Sequence, residues 1–175
     1  MSGGLPGLCG TDHVGFTVPD IEAATRFFVD VIGCEVVFEI GPFVSDDDWM
    51  QEHLAVHPRA VIKTLRMLRC RNGPAFELFE YDLEGAARMP PPNSDIGAMH
   101  LGFVVEDMAT AVANLKSCGV EVQGDPTIME DGPSEGLVWV YCRTPWGMQL
   151  ELVSYPKGLA VMRQNPGALW SPKVG

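Results

Sequence analysis

The sequence predicts an α+β fold made of two tandem copies of one half-domain, each ordered strand–helix–strand–strand–strand. Three observations carry this. The stretch Asp12-His13-Val14-Gly15-Phe16-Thr17-Val18-Pro19-Asp20 returns without a gap as Met99-His100-Leu101-Gly102-Phe103-Val104-Val105-Glu106-Asp107. A second matched pair follows each copy, Phe76-Glu77-Leu78-Phe79-Glu80-Tyr81 and Leu150-Glu151-Leu152-Val153-Ser154-Tyr155. Each copy also runs from an alternating strand into an acidic N-cap, an apolar stripe and a terminating glycine. The spacing between copies exceeds the roughly 20–50 residues of a solenoid repeat, so duplication within one domain is the reading.

The elements follow in order. Residues 1–11 are Gly-rich and expected to be loose. Residues 12–18 alternate, with Val14, Phe16 and Val18 on one face and His13, Gly15 and Thr17 on the other. Asp20 caps a helix whose stripe is Ile21, Ala24, Phe28 and Val31, and Gly33 stops it. A strand is expected near 34–40, then an irregular stretch over 41–58 holding Asp46-Asp47-Asp48-Trp49, His53 and His57. Strands over 60–70 and 75–81 meet at the turn Arg71-Asn72-Gly73-Pro74, which closes a first module at 12–81. Residues 82–95, with Pro90-Pro91-Pro92-Asn93, form a linker. The second module, 96–155, repeats the design: Asp107 caps, Met108, Ala111, Leu115 and Cys118 make the stripe, and Gly119 ends it. A short strand near 120–123, a Gly/Pro-rich loop over 124–136, and strands near 137–142 and 147–154 follow. The tail, 156–175, carries Met162, Leu169 and Trp170 and is expected to pack on the domain or on a partner subunit.

Composition limits the function classes. With 46% hydrophobic and 20% charged residues, the chain has enough apolar surface for a core and is not disordered. A net charge of −11 argues against nucleic acid and anionic membrane surfaces. No apolar run is long enough to span a bilayer, and the N-terminus lacks the charge and apolar core of a signal peptide. Cys9, Cys34, Cys70, Cys118 and Cys142 are scattered, without Cys-x-x-Cys spacing. Reduced thiols in a cytoplasmic protein are therefore expected.

Strand alternation also selects the chemistry. If the apolar residues Phe76, Leu78, Leu150 and Leu152 meet the helices, Glu77 and Glu151 share a concave face with His13 and His100, whereas Glu80 falls on the other side. Two imidazoles and two carboxylates suit a divalent ion such as Zn, Ni, Fe, Co or Mn. Carboxylates buried there without a cation would be costly. Gly15 and Gly102, two residues after each histidine, leave room beside the ion for a substrate or relieve crowding between paired strands.

These residues resemble the vicinal oxygen chelate superfamily, which includes glyoxalase I, methylmalonyl-CoA epimerase, extradiol dioxygenases and the bleomycin and fosfomycin resistance proteins. The resemblance covers about residues 10–155 and includes paired βαβββ modules. It implies a cup-shaped eight-stranded mixed sheet, a frequent homodimer, and metal ligands His13, Glu77, His100 and Glu151, a set similar to that of bacterial glyoxalase I. It further implies proton transfer next to a metal-bound carbonyl through an enediolate, with Glu151 and Glu77 as base and acid.

A second pattern points elsewhere. Tyr141-Cys142-Arg143-Thr144-Pro145-Trp146-Gly147-Met148-Gln149-Leu150-Glu151 is similar to the end of the extradiol dioxygenase signature, implying Fe(II) held by His13, His100 and Glu151 with Tyr141 nearby. That signature also has a histidine six to eight residues before the tyrosine, and this chain has Gly132-Pro133-Ser134-Glu135 there instead. A drug- or ligand-binding resistance protein on the same fold is the non-catalytic alternative. For an anionic conjugate of glutathione or coenzyme A, Lys63, Arg66, Arg69 and Arg143 are the available cations. For a small apolar or aromatic ligand, Phe43, Trp49, Met50, Trp146 and Trp170 are the available walls.

Overall fold

The structure is a computed structural model that describes residues 4–172. The first three residues of the N-terminal segment and the last three of the tail lie outside the described residues. The chain forms two compact units, Met1–Ala86 and Ala87–Gly175.

The first unit holds β1 (His13–Thr17), α1 (Ile21–Arg26), β2 (Glu35–Ile40), α2 (Trp49–Leu54), β3 (Val61–Arg69) and β4 (Ala75–Asp82). Its sheet has the order β1-β4-β3-β2, with β1 parallel to β4 and the other pairings antiparallel. The second unit holds β5 (His100–Val104), α3 (Met108–Ser117), β6 (Glu121–Ile128), β7 (Val138–Arg143), β8 (Gln149–Ser154) and α4 (Ala160–Gln164). Its sheet has the same order, β5-β8-β7-β6, and the same mix of directions. The eight expected strands are thus present, as two four-stranded mixed sheets.

Both helix starts form as the sequence predicts. The carboxylate of Asp20 accepts from the Ala23 N–H at 2.8 Å, and that of Asp107 accepts from the Thr110 N–H at 2.6 Å. These bonds satisfy backbone donors that have no partner inside the helix. The bond from Thr110 also holds the Asp107 carboxyl below its ordinary range. Glu80, on the helix side of β4, accepts from the Ile21 N–H at 2.8 Å and pairs with Lys63. Glu80 is therefore occupied in seating α1.

The first helix departs from expectation. It is α-helical only to Arg26 and continues as a π-helical turn over Phe27–Ile32. The wider turn buries Phe27 beside Phe28 and leaves Val31 only half-buried. Gly33 ends it at φ 88°, and its N–H reaches back to the Phe28 carbonyl. Phe28 is fully buried, with ring centroids 5.9 Å from Phe16, 5.8 Å from Phe76 and 5.5 Å from Phe27. In α3 the stripe is Met108, Val112 and Leu115, whereas Cys118 lies just past the helix and is exposed.

Two loop expectations are corrected. β6 does not stop at 123 but runs to Ile128, carrying Gly124, Asp125 and Pro126 through a register shift between Gln123 and Thr127. An edge strand tolerates this, because a proline there removes no ladder bond from a central neighbour. The stretch 41–58 contains α2, whose Met50 is fully buried with Ala60, Ile62 and Leu65 against Val56, Phe79, Tyr81 and Leu83. The segment is part of the first unit's core, so a deletion of 44–56 would strip this cluster and cost the fold as well as any cleft it borders. The tail also packs. The Ala160 and Val161 N–H groups donate to the carbonyls of Glu135 and Pro133, and Arg163 pairs with Glu135.

None of the described helices is long and apolar enough to cross a membrane. All five cysteines are free: Cys34 and Cys142 are buried, Cys9 and Cys118 exposed, and burial pushes the Cys142 thiol up to about 11.

Candidate functional site

The period of two along each strand brings one histidine and one glutamate together in each unit. In the first, Gly15 pairs with Glu77 and His13 with Ala75 on the parallel β1–β4 ladder, so His13 and Glu77 are diagonal neighbours on one face. Their Nε2 and Oε2 atoms lie 3.3 Å apart. The second unit repeats this: Gly102 pairs with Glu151, His100 with Gln149, and His100 Nε2 lies 3.3 Å from Glu151 Oε2. Accessibility repeats as well, with side-chain exposures of 40% and 20% for the first pair and 37% and 18% for the second. Two donors bound to one cation at about 2.0–2.2 Å lie roughly 2.9–3.5 Å apart at tetrahedral to octahedral angles. Each pair therefore has a spacing that suits two ligands of one ion. Among the described residues no group of three or more His, Cys, Asp and Glu side chains is gathered for a metal, so each half offers two donors.

The glycines keep the carboxylates uncovered. A Cβ on Gly15 would sit 3.4 Å from Glu77 Oε2, and one on Gly102 would sit 3.9 Å from Glu151 Oε2. Those are ordinary contacts, so packing alone does not demand glycine at either place. The effect of a side chain there would be to cover the carboxylate.

Asp12, outside the set of residues expected from the sequence, orients His13. Its Oδ2 lies 2.7 Å from His13 Nδ1, which fixes that nitrogen as the protonated one and turns Nε2 toward Glu77. The signal was present, since Asp12 precedes His13 in one copy while Met99 precedes His100 in the other. This hydrogen bond, with the nearby charges of Glu77 and Asp12, raises the His13 pKa above the ordinary 6.5 despite opposing desolvation. The sign follows directly. The stabilisation is fully present below the ordinary imidazole value and is lost as pH rises through the folded value. The added proton occupies Nε2, the nitrogen whose lone pair a cation would need, so a ligand role for His13 would require its loss. In an NMR titration of the metal-free protein, His13 should titrate above 6.5. Asp12→Asn should lower its midpoint, and an unchanged midpoint would remove Asp12 from this role.

The surroundings of the two pairs differ. Beside Glu77 across the first sheet stand Met67 and then Phe38; beside Glu151 across the second stand Tyr141 and then Gln123. The Tyr141 ring meets the His100 ring edge-on, centroids 5.4 Å apart, and Trp139 lies 5.2 Å beyond. Tyr141 thus flanks the second pair, with its ring against the histidine.

The cations available to an anionic ligand are largely engaged. Arg66 is buried, donating to Glu22 at 2.6 Å and Thr25 at 2.7 Å and pairing with Glu39. Lys63 pairs with Glu80, and Arg69 with Glu35 at 2.7 Å. Of the four, only Arg143 faces a neutral partner, Gln123. Of the candidate wall residues, Met50 and Trp146 are buried and Trp170 is largely exposed. The Phe43 and Trp49 rings meet at a tilt of 59° with centroids 5.1 Å apart.

Two βαβββ modules with the same sheet order and the same His–Glu pair define a duplicated protein of the vicinal oxygen chelate type. The chain belongs to the glyoxalase/bleomycin resistance protein/dioxygenase superfamily, whose sequence model matches residues 12–135. It is 42% identical to a 2-epi-5-epi-valiolone epimerase from an Actinomyces species, over 97% of this chain and 92% of that protein. Among solved structures, a glyoxalase family protein from Bacillus cereus is similar at TM-score 0.64 and 21% identity, covering 88% of this chain and 97% of its own. Another, from Enterococcus faecalis, is similar at TM-score 0.58 and 20% identity, over 82% and 96% of the two chains. Those two likenesses support the fold.

Proposed function

We propose that the protein is an isomerase that epimerises a small ketone by moving the proton on the carbon beside the carbonyl. The duplicated His–Glu pair, 3.3 Å between donors in each unit, is the observation that carries the reading. The epimerase relative moves the expectation from a glutathione or coenzyme A conjugate to a ketone. The proton chemistry expected from glyoxalase I is retained. The engagement of Lys63, Arg66 and Arg69 by carboxylates also argues against a large anionic conjugate.

Inversion at carbon needs one group to take the proton and another to return one to the opposite face. The duplication supplies two carboxylates of equal standing, Glu151 and Glu77, each in contact with its histidine. The family resemblance names His13, Glu77, His100 and Glu151 as the residues that would hold a divalent ion, and each unit presents one such His–Glu pair at ligand spacing. Such an ion supplies Lewis-acid stabilisation of the negative charge that develops on oxygen as the proton leaves. The histidine–carboxylate contacts position Oε2 of each glutamate, while Gly15 and Gly102 leave it approachable.

Elemental analysis of protein purified without chelator or histidine tag tests the ligand assignment. About one equivalent of Zn, Ni, Co or Mn per chain, lost in His13→Ala and in His100→Ala, is the expected result. No metal even after reconstitution would assign the four residues to structure alone. Iron together with O₂ consumption would favour the dioxygenase reading.

A further inference from the structure

The two halves carry the same His–Glu pair and the same arginine–glutamate cross-strand pairing, Arg69 with Glu35 and Arg143 with Glu121, but three other positions on that face are apolar in the first half and polar in the second. In the second unit, His100, Gln149, Arg143 and Glu121 form one cross-strand row, and Gly102, Glu151, Tyr141 and Gln123 form the next. The register places Ala75 of the first unit where Gln149 stands, Met67 where Tyr141 stands and Phe38 where Gln123 stands. Three positions therefore change from apolar to hydrogen-bonding between two copies of one frame. Folding does not require the polar version, since the first sheet keeps the same β1–β4–β3 register at these positions without it and differs there in its edge strand, which bulges between Val36 and Phe38.

The polar side chains form a chain of contacts. The Gln123 amide satisfies its neighbours when its oxygen faces Arg143, whose Nε and Nη2 donate to it at 2.8 and 3.0 Å. Its nitrogen then lies 2.7 Å from the Gln149 amide, which must present its oxygen in return. That order leaves the Gln149 NH₂ with two N–H donors outside the array, on the strand position next to His100. Gln149 and Gln123 are both half-buried, so donors left unmet there would cost stability unless water or a ligand meets them. A neutral array of oriented amides, with its arginine already turned onto an amide oxygen, matches hydroxyl groups better than a carboxylate or phosphate.

We propose that Gln149, Gln123 and Arg143 form a hydroxyl-reading subsite beside the His100–Glu151 pair, taking a hydroxylated portion of the ketone substrate. This rests on the epimerase reading and deepens it. It makes the second half the specificity half, because Ala75, Met67 and Phe38 offer no hydrogen bond at the equivalent positions of the first, where Arg69 is paired with Glu35.

The test uses Gln149→Ala, which copies Ala75 at the equivalent position and is therefore compatible with the ladder. Two probes separate this inference from the reading it rests on: 2-epi-5-epi-valiolone for turnover, and myo-inositol, a cyclitol with no carbonyl, for binding alone. The expected result is a KM about ten-fold higher in Gln149→Ala with kcat within about two-fold, the size of one or two lost neutral hydrogen bonds. Binding of myo-inositol should shift the side-chain amide resonances of Gln149 and Gln123 in the wild-type protein and should be lost in the variant. Unchanged KM in Gln149→Ala, or a wild-type protein whose amide resonances respond to neither probe, would overturn the subsite. Cyclitol binding that depends on Gln149, in a protein that does not turn over the ketone, would uphold the subsite and overturn the epimerase reading.

Discussion

Glu151→Gln is expected to lower turnover by about 10²–10⁴-fold at saturating cation while leaving substrate affinity within a few-fold. The substitution keeps the shape and one acceptor oxygen but removes the charge that takes a proton. Because Glu151 is also an assigned ligand, the measurement must be made with cation in excess; otherwise loss of metal would imitate loss of base. Glu77→Gln completes the argument. If Glu151 takes the proton and Glu77 returns it, the Glu77 variant should still exchange the substrate proton with solvent while inverting slowly. Turnover in Glu151→Gln within ten-fold of wild type would sink the assignment of that residue.

Phe28→Ala is expected to destabilise the protein by about 3–5 kcal/mol, a fall in Tm of roughly 6–20 °C. Phe28 is fully buried where the π-helical turn crosses β1 and β4, and it touches Phe16, Phe27 and Phe76. Removing the ring opens a cavity walled by other rings attached to sheet and helix, which limits collapse. Those same strands carry His13 and Glu77 on their opposite face, so the first pair should lose its spacing along with the stability. Phe28→Leu, which refills most of the volume, should recover much of both. A Tm within about 2 °C of wild type in Phe28→Ala would show that the aromatic cluster repacks.

The His–Glu pairs were legible because a strand has a period of two, and a duplicated sequence states that period twice. That logic placed Glu77 with His13, and the buried Glu80 capping α1 on the other face shows why. Asp20 and Asp107 were legible as caps for the same local reason. The π-helical turn was not, because Phe27, Phe28 and Val31 fit an α-helical stripe almost as well, and tertiary packing decides which rings go inward. The full length of β6 is hidden because Gly124 and Pro126 signal a loop, although an edge strand absorbs both in a register shift. The engagement of Lys63, Arg66 and Arg69 depends on which carboxylates lie across the sheet, information that no local window holds. The contrast between Gln149 and Ala75 lay one residue outside the matched segments and became visible only through the ladder register.

Conversion of 2-epi-5-epi-valiolone in D₂O, followed by proton NMR, tests the central claim most directly. The expected result is an epimerised product carrying one solvent deuterium on the carbon beside the carbonyl, formed equally well without oxygen. An epimerised product without solvent deuterium, or conversion that stops when O₂ is removed, would contradict it.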